Sequence, residues 1–290
     1  MNFLAAKIRL YKPLIKTSQT SLLLATGVAG YLSAGIKVDL VTLLGLTLSL
    51  FLSISGSTIL NMWYDHDIDT VMNRTHNRPL AAGTVGLGEA LRLGLVFSLL
   101  GVGLAMAMDP LYGLVVFAGL FFDVVVYTIW LKRKTCWSIV WGGISGGMPI
   151  LAGRVLAIGH VDLVGVLLTL SILFWIPTHT LTFSIRFHDD YKTAGVPTFP
   201  STYGIEFTRF IIALSAILAA ICIGWASVLI GVQAGFLRLL VVLATGLLLL
   251  SFATVTRPSE RINFGLFKYA SLYMLCSMMV LSIQPFVTIA

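Results

Sequence analysis

Charged side chains are scarce in this sequence: they make up 11% of its 290 residues, while 58% of the residues are hydrophobic. Because soluble domains average about 25% charged residues, this composition excludes an ordinary water-soluble fold. Long apolar runs recur along the whole chain, and in lipid only helices or closed barrels satisfy every backbone group. The runs lack the apolar–polar alternation of barrel strands, so the sequence predicts an all-α polytopic membrane protein embedded in the lipid bilayer.

Features that would mark other classes of protein are also missing. The three cysteines, Cys136, Cys222 and Cys276, are too scattered to suggest a disulfide framework or a thiolate metal site. The basic N-terminal residues lack the short apolar core and cleavage site of a signal peptide, so we interpret them as a cytoplasmic amphipathic segment. The net charge of +7 is spread over short loops, and we therefore expect no nucleic-acid partner.

The apolar runs divide into nine spans of the length that a bilayer requires, about 20 residues each. The predicted spans are residues 18–36, 38–63, 88–108, 111–131, 136–156, 162–187, 205–231, 235–255 and 263–288. All but three of the 19 Lys and Arg residues flank one set of span ends; the exceptions are Lys37, Arg154 and Arg238. The positive-inside rule then predicts a cytoplasmic N-terminus and a C-terminus outside. No linker separates the spans, so residues 1–290 are expected to form one domain.

Carboxylates gather at the end of the second predicted span, in residues 61–80. Asn61, Asp65 and Asp69 recur every four residues, which places them on one stripe of a helix. Asp67 points elsewhere and is interpreted as a surface charge. Clustered carboxylates near lipid repel one another, so they indicate a neutralising cation. Because the ligand atoms would be oxygens, with Asn61 as a neutral partner, Mg²⁺ shared with a substrate phosphate is the expected cation.

A second acidic segment follows the sixth predicted span on the same side of the membrane, and it contains Asp189, Asp190 and Lys192. An acidic segment at each of two helix ends suits a diphosphate held through two Mg²⁺ ions. The hypothesis takes metal ligands from both segments: Asp65, Asp69, Asp189 and Asp190.

Basic side chains near these carboxylates are candidates for direct contact with phosphate oxygens, which Arg binds in a bidentate fork. The candidates are Arg74, Arg78, Lys132, Arg133 and Lys192. Cations placed there stabilise the negative charge that collects on a diphosphate when its bond to an allylic carbon breaks. For Lys132, Arg133 and Lys134 the alternative is that they are solvated markers of topology.

The allylic cation left by such a reaction needs a dry pocket with apolar and aromatic walls. Candidates for the lining, with packing as the alternative role, are Trp63, Tyr64, Phe121, Phe122, Tyr127, Trp175 and Phe183. His179 lies inside the sixth span after Pro177, where a titratable residue is a functional candidate. The alternative is that His179 hydrogen-bonds a carbonyl freed by Pro177. The glycine-rich residues 141–149 lack the ending of a nucleotide loop and indicate close helix packing or a cavity lining.

These motifs resemble the UbiA superfamily of intramembrane prenyltransferases. The pattern Asn61…Asp65…Asp69…Arg74…Asn77-Arg78-Pro79-Leu80 is similar to the first aspartate-rich motif of that superfamily. Three further stretches resemble the protoheme IX farnesyltransferase (haem O synthase) branch: residues 126–135, Gly142-Gly143…Pro149 and residues 190–200. The resemblance covers roughly residues 10–285.

The resemblance implies nine transmembrane helices in the plasma membrane and a Mg²⁺-dependent site that faces the cytoplasm. Farnesyl diphosphate would be the donor and a vinyl group of haem B the acceptor. Haem A synthase or haem–copper oxidase assembly factors would be protein partners. By position, Asp65, Asp69, Asp190 and Arg78 match catalytic residues, Asn61 and Arg74 match diphosphate-binding residues, and His179 matches a histidine near the porphyrin.

The sequence departs from this branch around the expected acceptor region. Thr178 stands directly before His179, where the branch usually has Pro. Thr198-Phe199 precedes Pro200, where the branch often has Leu or Met-Leu, and Arg154 stands where a Trp is common after the glycines of the fifth span. The diphosphate motif is intact. The nearest alternative therefore keeps prenyl transfer and changes the acceptor to an aromatic or quinone precursor such as 4-hydroxybenzoate. A transporter with an acidic ion site is the alternative from a different class.

Overall fold

The computed structural model describes residues 10–288, apart from the side chains of Pro285 and Thr288. The regular elements within that range are helices, and a short 3₁₀ turn at Lys12–Ile15 precedes them. In chain order the helices are α1 (Thr17–Leu32), α2 (Leu40–Tyr64), α3 (His66–Val71), α4 (Leu87–Met108), α5 (Pro110–Leu131), α6 (Ser138–Ile158), α7 (Leu163–Arg186), α8 (His188–Thr193), α9 (Phe199–Tyr203), α10 (Ile205–Ile230), α11 (Ala234–Thr256) and α12 (Glu260–Thr288). Residues 1–9, which hold most of the predicted amphipathic segment, lie outside the described range.

Eight of these helices are long and apolar enough to cross a membrane, namely α2, α4, α5, α6, α7, α10, α11 and α12. This finding confirms the predicted all-α polytopic membrane fold. The first predicted span, residues 18–36, corresponds to α1, which has only 16 residues. At about 1.5 Å per residue α1 is roughly 24 Å long, short of the ~30 Å hydrocarbon core. The count of nine spans and the orientation of the two ends therefore stay predictions.

Several of the few carboxylates serve as helix caps. Asp39 begins α2 and accepts a hydrogen bond from the backbone N–H of Thr42 at 2.9 Å. Asp109 caps α5 in the same way, and Asp162 caps α7. A side-chain oxygen at this position satisfies a backbone N–H that the first helical turn leaves without a partner. The hydroxyl of Thr42 also donates to Asp39 at 2.6 Å, and this bond, together with the backbone hydrogen bond, favours the charged form and holds the pKa of Asp39 below its usual value.

Arg154 lies within α6 and only 8% of it is exposed. It is therefore a buried residue of the helix bundle and not a solvated loop charge that reports topology. Its Nε and NH2 donate to the two carboxylate oxygens of Asp162 at 2.8 and 2.6 Å. Its NH1 donates to the carbonyl and hydroxyl of Ser33 at 3.2 and 3.0 Å. Arg154 thus ties together α6, the start of α7 and the end of α1, and its fork lowers the pKa of Asp162.

Helices α1 and α6 approach so closely that glycine is required at the contact. A Cβ atom on Gly153 would lie 1.9 Å from the carbonyl oxygen of Gly27, and one on Gly30 would lie 2.0 Å from that of Ile150. Further along α6, a Cβ on Gly146 would meet Ile176 of α7 at 2.4 Å. The interpretation of the glycine-rich residues 141–149 as a surface for close packing is therefore confirmed.

Candidate active site

The first acidic segment begins where α2 ends and α3 starts, with Asp65 at the junction. The backbone N–H of Asp65 donates to the carbonyl of Asn61 at 3.0 Å, and that of Asp69 donates to Asp65 at 2.9 Å. Helical register therefore continues across the junction. Asp65 and Asp69 are each 4% exposed, whereas the side chain of Asp67 is 54% exposed. The predicted stripe of Asn61, Asp65 and Asp69, with Asp67 turned away, is confirmed.

Each buried carboxylate has a basic partner. Lys132 donates to Oδ2 of Asp65, and NH1 of Arg78 lies 2.9 and 2.8 Å from the two oxygens of Asp69. Oδ1 of Asp65 is buried and accepts no hydrogen bond from residues 10–288; the guanidinium of Arg133 is 3.9 Å away. Burial opposes the charge on Lys132, but the nearby Tyr127 and Asp65 outweigh it and raise the pKa of this amine.

The interpretation of Lys132 as a solvated marker of topology is wrong, whereas Arg133 is exposed at the surface and paired there. The side chain of Lys132 is only 21% exposed because it reaches back to Asp65. Arg133 donates from NH1 and NH2 to the two oxygens of Asp67, both at 2.7 Å, and its guanidinium lies 4.7 Å from the ring centroid of Tyr64. Asp67 is thus a paired charge at the surface, and the hydrogen bonds from Arg133 lower its pKa to about 2.

The second acidic segment packs against the first. Asp190 accepts hydrogen bonds from Nδ2 of Asn73 at 3.3 Å and from the backbone N–H of Arg74 at 3.2 Å. A small apolar cluster joins the same two segments beneath these bonds; its members are Ile68, Met72 and Val196, with Tyr191 and Ala194 at its edge. The prediction that both acidic segments lie at one end of the bundle is therefore supported by direct contact.

Not every predicted site residue is gathered into this contact. Asp189 and Lys192 lie on α8 with exposed side chains. Among residues 10–288, the structure contains no group of three or more His, Cys, Asp or Glu side chains arranged to hold a metal ion. The guanidinium of Arg74 lies over the rings of Phe183 and Phe187, 4.9 and 5.6 Å from their centroids. The metal assignment of Asp65, Asp69, Asp189 and Asp190 stays a prediction.

Asn61 is held by residues that the sequence analysis did not single out. Its Nδ2 donates to Oδ2 of Asp123 at 2.8 Å, and its Oδ1 accepts from the hydroxyl of Thr128 at 2.8 Å. Ser57 also donates to Asp123. Asp123 and Thr128 lie in the second half of α5, Phe122–Leu131, which is a π-helix. Such turns are rare and often found at functional sites. The sequence does contain one feature that could have indicated Asp123. It is a carboxylate inside an otherwise apolar span, where charged residues are usually functional.

Lys16 is a further residue that the sequence analysis did not single out. It follows the 3₁₀ turn with a positive φ of 44°, which is uncommon for a residue other than glycine. Burial and, to a smaller extent, the charges of Arg78 and Lys132 lower the pKa of its amine to about 8, against opposing effects of Asp123 and Asp65. Lys16 therefore faces the same group of charges, a position that nothing in its local sequence indicates.

Tyr127 also comes from the π-helical half of α5. Its ring lies 5.8 Å from the amine of Lys132, and a Cβ on Gly142 would come within 3.1 Å of that ring. A glycine at position 142 therefore makes room for Tyr127 beside Lys132. This placement supports the prediction that Tyr127 borders the site.

His179 lies on α7 between two aromatic rings. Its ring stacks on Trp175 at a centroid distance of 4.9 Å and on Phe267 of α12 at 4.3 Å. Its Nδ1 lies 3.2 Å from the hydroxyl of Ser271. The hydrogen bond is therefore made across helices to Ser271, rather than to a carbonyl freed by Pro177 as the alternative interpretation supposed.

Comparison with known proteins places this arrangement in a family. The sequence profile of the UbiA prenyltransferase family matches residues 22–272. The protoheme IX farnesyltransferase of Korarchaeum cryptofilum is 42% identical over 72% of this chain and 70% of its own length. That of Aeropyrum pernix is 36% identical over 91% of this chain and 88% of its own length.

Solved structures share the fold at low sequence identity. One from work on digeranylgeranylglyceryl phosphate synthase in membranes has a TM-score of 0.81 and 18% identity, covering 97% of this chain and 99% of that chain. A UbiA homologue from Archaeoglobus fulgidus bound to GPP and Mg²⁺ has a TM-score of 0.68 and 16% identity, covering 94% and 99%. The profile match and the curated relatives show that this chain belongs to the UbiA prenyltransferase family.

Proposed function

We propose that this chain transfers a farnesyl group from farnesyl diphosphate to a vinyl group of haem B in a Mg²⁺-dependent reaction, giving haem O and pyrophosphate. Support for the prenyl group and the acceptor comes from relatives named protoheme IX farnesyltransferase. The assignment of a diphosphate as the prenyl donor rests on the contact of Asp190 with the segment that holds Asp65 and Asp69. The buried carboxylates Asp65 and Asp69 with their basic partners and the half-buried Asp190 come together at this contact, an arrangement that suits a diphosphate.

The chemistry of the donor atoms fits Mg²⁺. Oδ1 of Asp65 is buried and has no hydrogen-bond partner within the described part of the chain, which is costly for a charged oxygen. Mg²⁺ prefers oxygen ligands from one or two carboxylates together with substrate phosphates. In this proposal Asp65, Asp69, Asp189 and Asp190 are the residues that would hold Mg²⁺ together with the diphosphate. When bound, Mg²⁺ supplies positive charge to the departing diphosphate.

The basic side chains act on the same leaving group. The bond between the first farnesyl carbon and the diphosphate oxygen breaks, and its electron pair leaves with the diphosphate. Arg78 and Lys132 donate to the departing oxygens and lower the energy of the transition state more than that of the bound substrate. Their present pairing with Asp69 and Asp65 already holds them in position. Further positive charge around the site comes from Arg74, Arg133 and Lys192. The side-chain amide of Asn61 is the neutral partner of the diphosphate in this proposal.

The farnesyl cation is then attacked by the π electrons of a haem vinyl group, which forms the new carbon–carbon bond. Positive charge moves to the other vinyl carbon, where water adds and loses a proton to give a hydroxyethylfarnesyl side chain. The cation must form where bulk water is excluded. Tyr127 borders the site on the membrane side, and His179 is proposed to lie near the porphyrin.

We also propose that α1 is a ninth membrane span, with the N-terminus and the active site on the cytoplasmic side of the plasma membrane and the C-terminus outside. The asymmetric placement of Lys and Arg supports this orientation. Proteins that accept the product, such as haem A synthase or haem–copper oxidase assembly factors, are the proposed partners.

The test uses the purified chain in lipid nanodiscs with farnesyl diphosphate, Mg²⁺ and either haem B or 4-hydroxybenzoate. Mass spectrometry of the extracted products is expected to show farnesylated, hydrated haem, with pyrophosphate released in equal amount. Farnesyl transfer to 4-hydroxybenzoate alone would overturn the acceptor assignment. Absence of pyrophosphate with both acceptors would overturn the enzymatic proposal and favour the transporter alternative.

A further inference from the structure

An aromatic cleft opens between the end of α7 and the start of α12. Four phenylalanine rings, those of Phe183, Phe187, Phe264 and Phe267, form most of its wall, and it encloses about 240 Å³. The rings of Phe264 and Phe267 are nearly parallel, at an interplanar angle of 8°, and Phe183 lies 5.8 Å from Phe267 between centroids. The cleft therefore offers flat apolar surfaces to a flat apolar ligand.

Two cations stand at the rim of this cleft. The guanidinium of Arg186 lies 4.0 Å from the ring centroid of Phe264, and the amine of Lys268 lies 4.5 Å from the same centroid. Both side chains are exposed, and within the described part of the chain neither has a carboxylate at ion-pair distance. A ligand that carries carboxylates beside an aromatic plane would complement both features at once.

One residue of the cleft wall has a buried oxygen that no described residue hydrogen-bonds. Asn263 lines the cleft, is 2% exposed and donates from Nδ2 to the carbonyl of Thr182 at 2.8 Å. Its Oδ1 is buried and accepts no hydrogen bond from the residues that the structure describes. Buried acceptors in folded proteins are nearly always paired, so this atom points to a hydrogen-bond donor brought by a ligand or by its bound water.

The cleft shares a wall with the diphosphate site. The guanidinium of Arg74 covers Phe183 and Phe187, and the backbone N–H of the same residue donates to Asp190. A ligand in the cleft would therefore lie directly beside the second acidic segment. At the inner end, Phe267 stacks on His179.

We propose that the aromatic cleft is the acceptor site and that it binds the propionate-bearing edge of the porphyrin, with Arg186 and Lys268 as the partners of the two carboxylates. This inference rests on the proposed function. The volume of about 240 Å³ is below the ~300–1,000 Å³ of pockets that enclose a whole small ligand, so one edge of the macrocycle enters. The vinyl groups lie on the opposite edge of protoporphyrin IX, which stays free to meet the farnesyl cation.

The test measures binding of zinc protoporphyrin IX and of its dimethyl ester, in which both carboxylates are neutral, to the full-length chain in nanodiscs. In the unaltered chain the diacid is expected to bind about tenfold more tightly than the ester. In the double variant Arg186→Gln/Lys268→Gln this preference is expected to disappear while affinity for the ester is unchanged. Arg257→Gln, which removes an exposed charge at the end of α11, is the matched control and should keep the preference.

Two results would overturn the acceptor site: a preference for the diacid that survives in the double variant, or an equal loss in Arg257→Gln. Farnesyl transfer to haem is measured in the same preparations and separates this inference from the proposed function. If the double variant transfers farnesyl to haem and still prefers the diacid, the assignment of the cleft is wrong and the proposed reaction stands. If porphyrin binding depends on Arg186 and Lys268 but no farnesyl is transferred to haem, the proposed reaction is wrong and the assignment of the cleft stands.

Discussion

The carboxylate of Asp190 accepts a hydrogen bond from the backbone N–H of Arg74 at 3.2 Å, although 116 residues separate the two along the chain. This contact joins the acidic segment after α2 to the acidic segment after α7 at one end of the bundle. The bond is at the long end of the normal range. We therefore expect a ligand that offers Asp190 a stronger partner to displace this backbone donor at small cost.

Replacing Asp65 by asparagine is expected to lower the rate of pyrophosphate release at least about 100-fold, because the buried charge that would hold the metal is lost. The amide keeps the shape of the side chain, but Lys132 loses its charged partner, so the melting temperature is also expected to fall. The measurement is steady-state turnover with farnesyl diphosphate and haem B, together with the melting temperature of each variant.

Asp67→Asn is the control, because Asp67 lies two residues away, is exposed and is already paired with Arg133. It should retain most of the activity. Near-normal turnover in Asp65→Asn would contradict the metal role, as would an equal loss in both variants.

Asp123 is expected to position Asn61. Asp123→Ala removes the acceptor used by Ser57 and Asn61, and leaving such donors unpaired in a membrane span costs about 1–3 kcal/mol each. Asp123→Asn keeps an acceptor oxygen for Asn61. Turnover and melting temperature should fall clearly in the alanine variant and less in the asparagine variant. Equal behaviour of the two would show that the hydrogen bond to Asn61 has no role.

Much of the fold follows from local sequence. The apolar runs at 88–108 and 235–255 match α4 and α11 within one residue, because the charged, Gly or Pro residues that bound a run also end the helix. The four-residue spacing of Asn61, Asp65 and Asp69 likewise predicts one face of the site, since it depends only on helical geometry.

The rest of the site depends on contacts between distant residues, which no local pattern contains. Lys132 stands in a basic triplet that is typical of a solvated loop, yet it pairs with Asp65, 67 residues earlier. Asp123 has only apolar neighbours in sequence, and its partner Asn61 is 62 residues away. These pairs form because α2 and α5 pack side by side, so the roles of Lys132 and Asp123 appear only once the helices are placed.

The contact between α1 and α6 gives a prediction about stability. An alanine at position 153 would place Cβ 1.9 Å from a carbonyl of α1, so the two helices must separate. Forced overpacking of this kind costs about 1–3 kcal/mol or more, which lowers the melting temperature by about 5 °C. Gly224→Ala in α10, where the added Cβ meets nothing within 4 Å, should leave it unchanged or slightly higher. Equal melting temperatures for both variants would contradict the close contact.

Lys16 predicts how activity depends on pH. Its pKa is lowered to about 8, so the amine loses its charge as pH rises through 8 and attracts a diphosphate less strongly. The pKa of Lys132 is raised, so that amine stays charged over the same range. We therefore expect kcat/KM for farnesyl diphosphate, which reports groups of the free enzyme, to fall about tenfold between pH 7 and 9.5.

Lys16→Arg separates this effect from other titrations, because a guanidinium stays protonated across that range. The arginine variant should show a nearly constant kcat/KM from pH 7 to 9.5, and Lys16→Gln should be low and equally constant. The same fall in the unaltered chain and in Lys16→Arg would assign the titration to another group, and Lys16 would then have no part in binding the diphosphate.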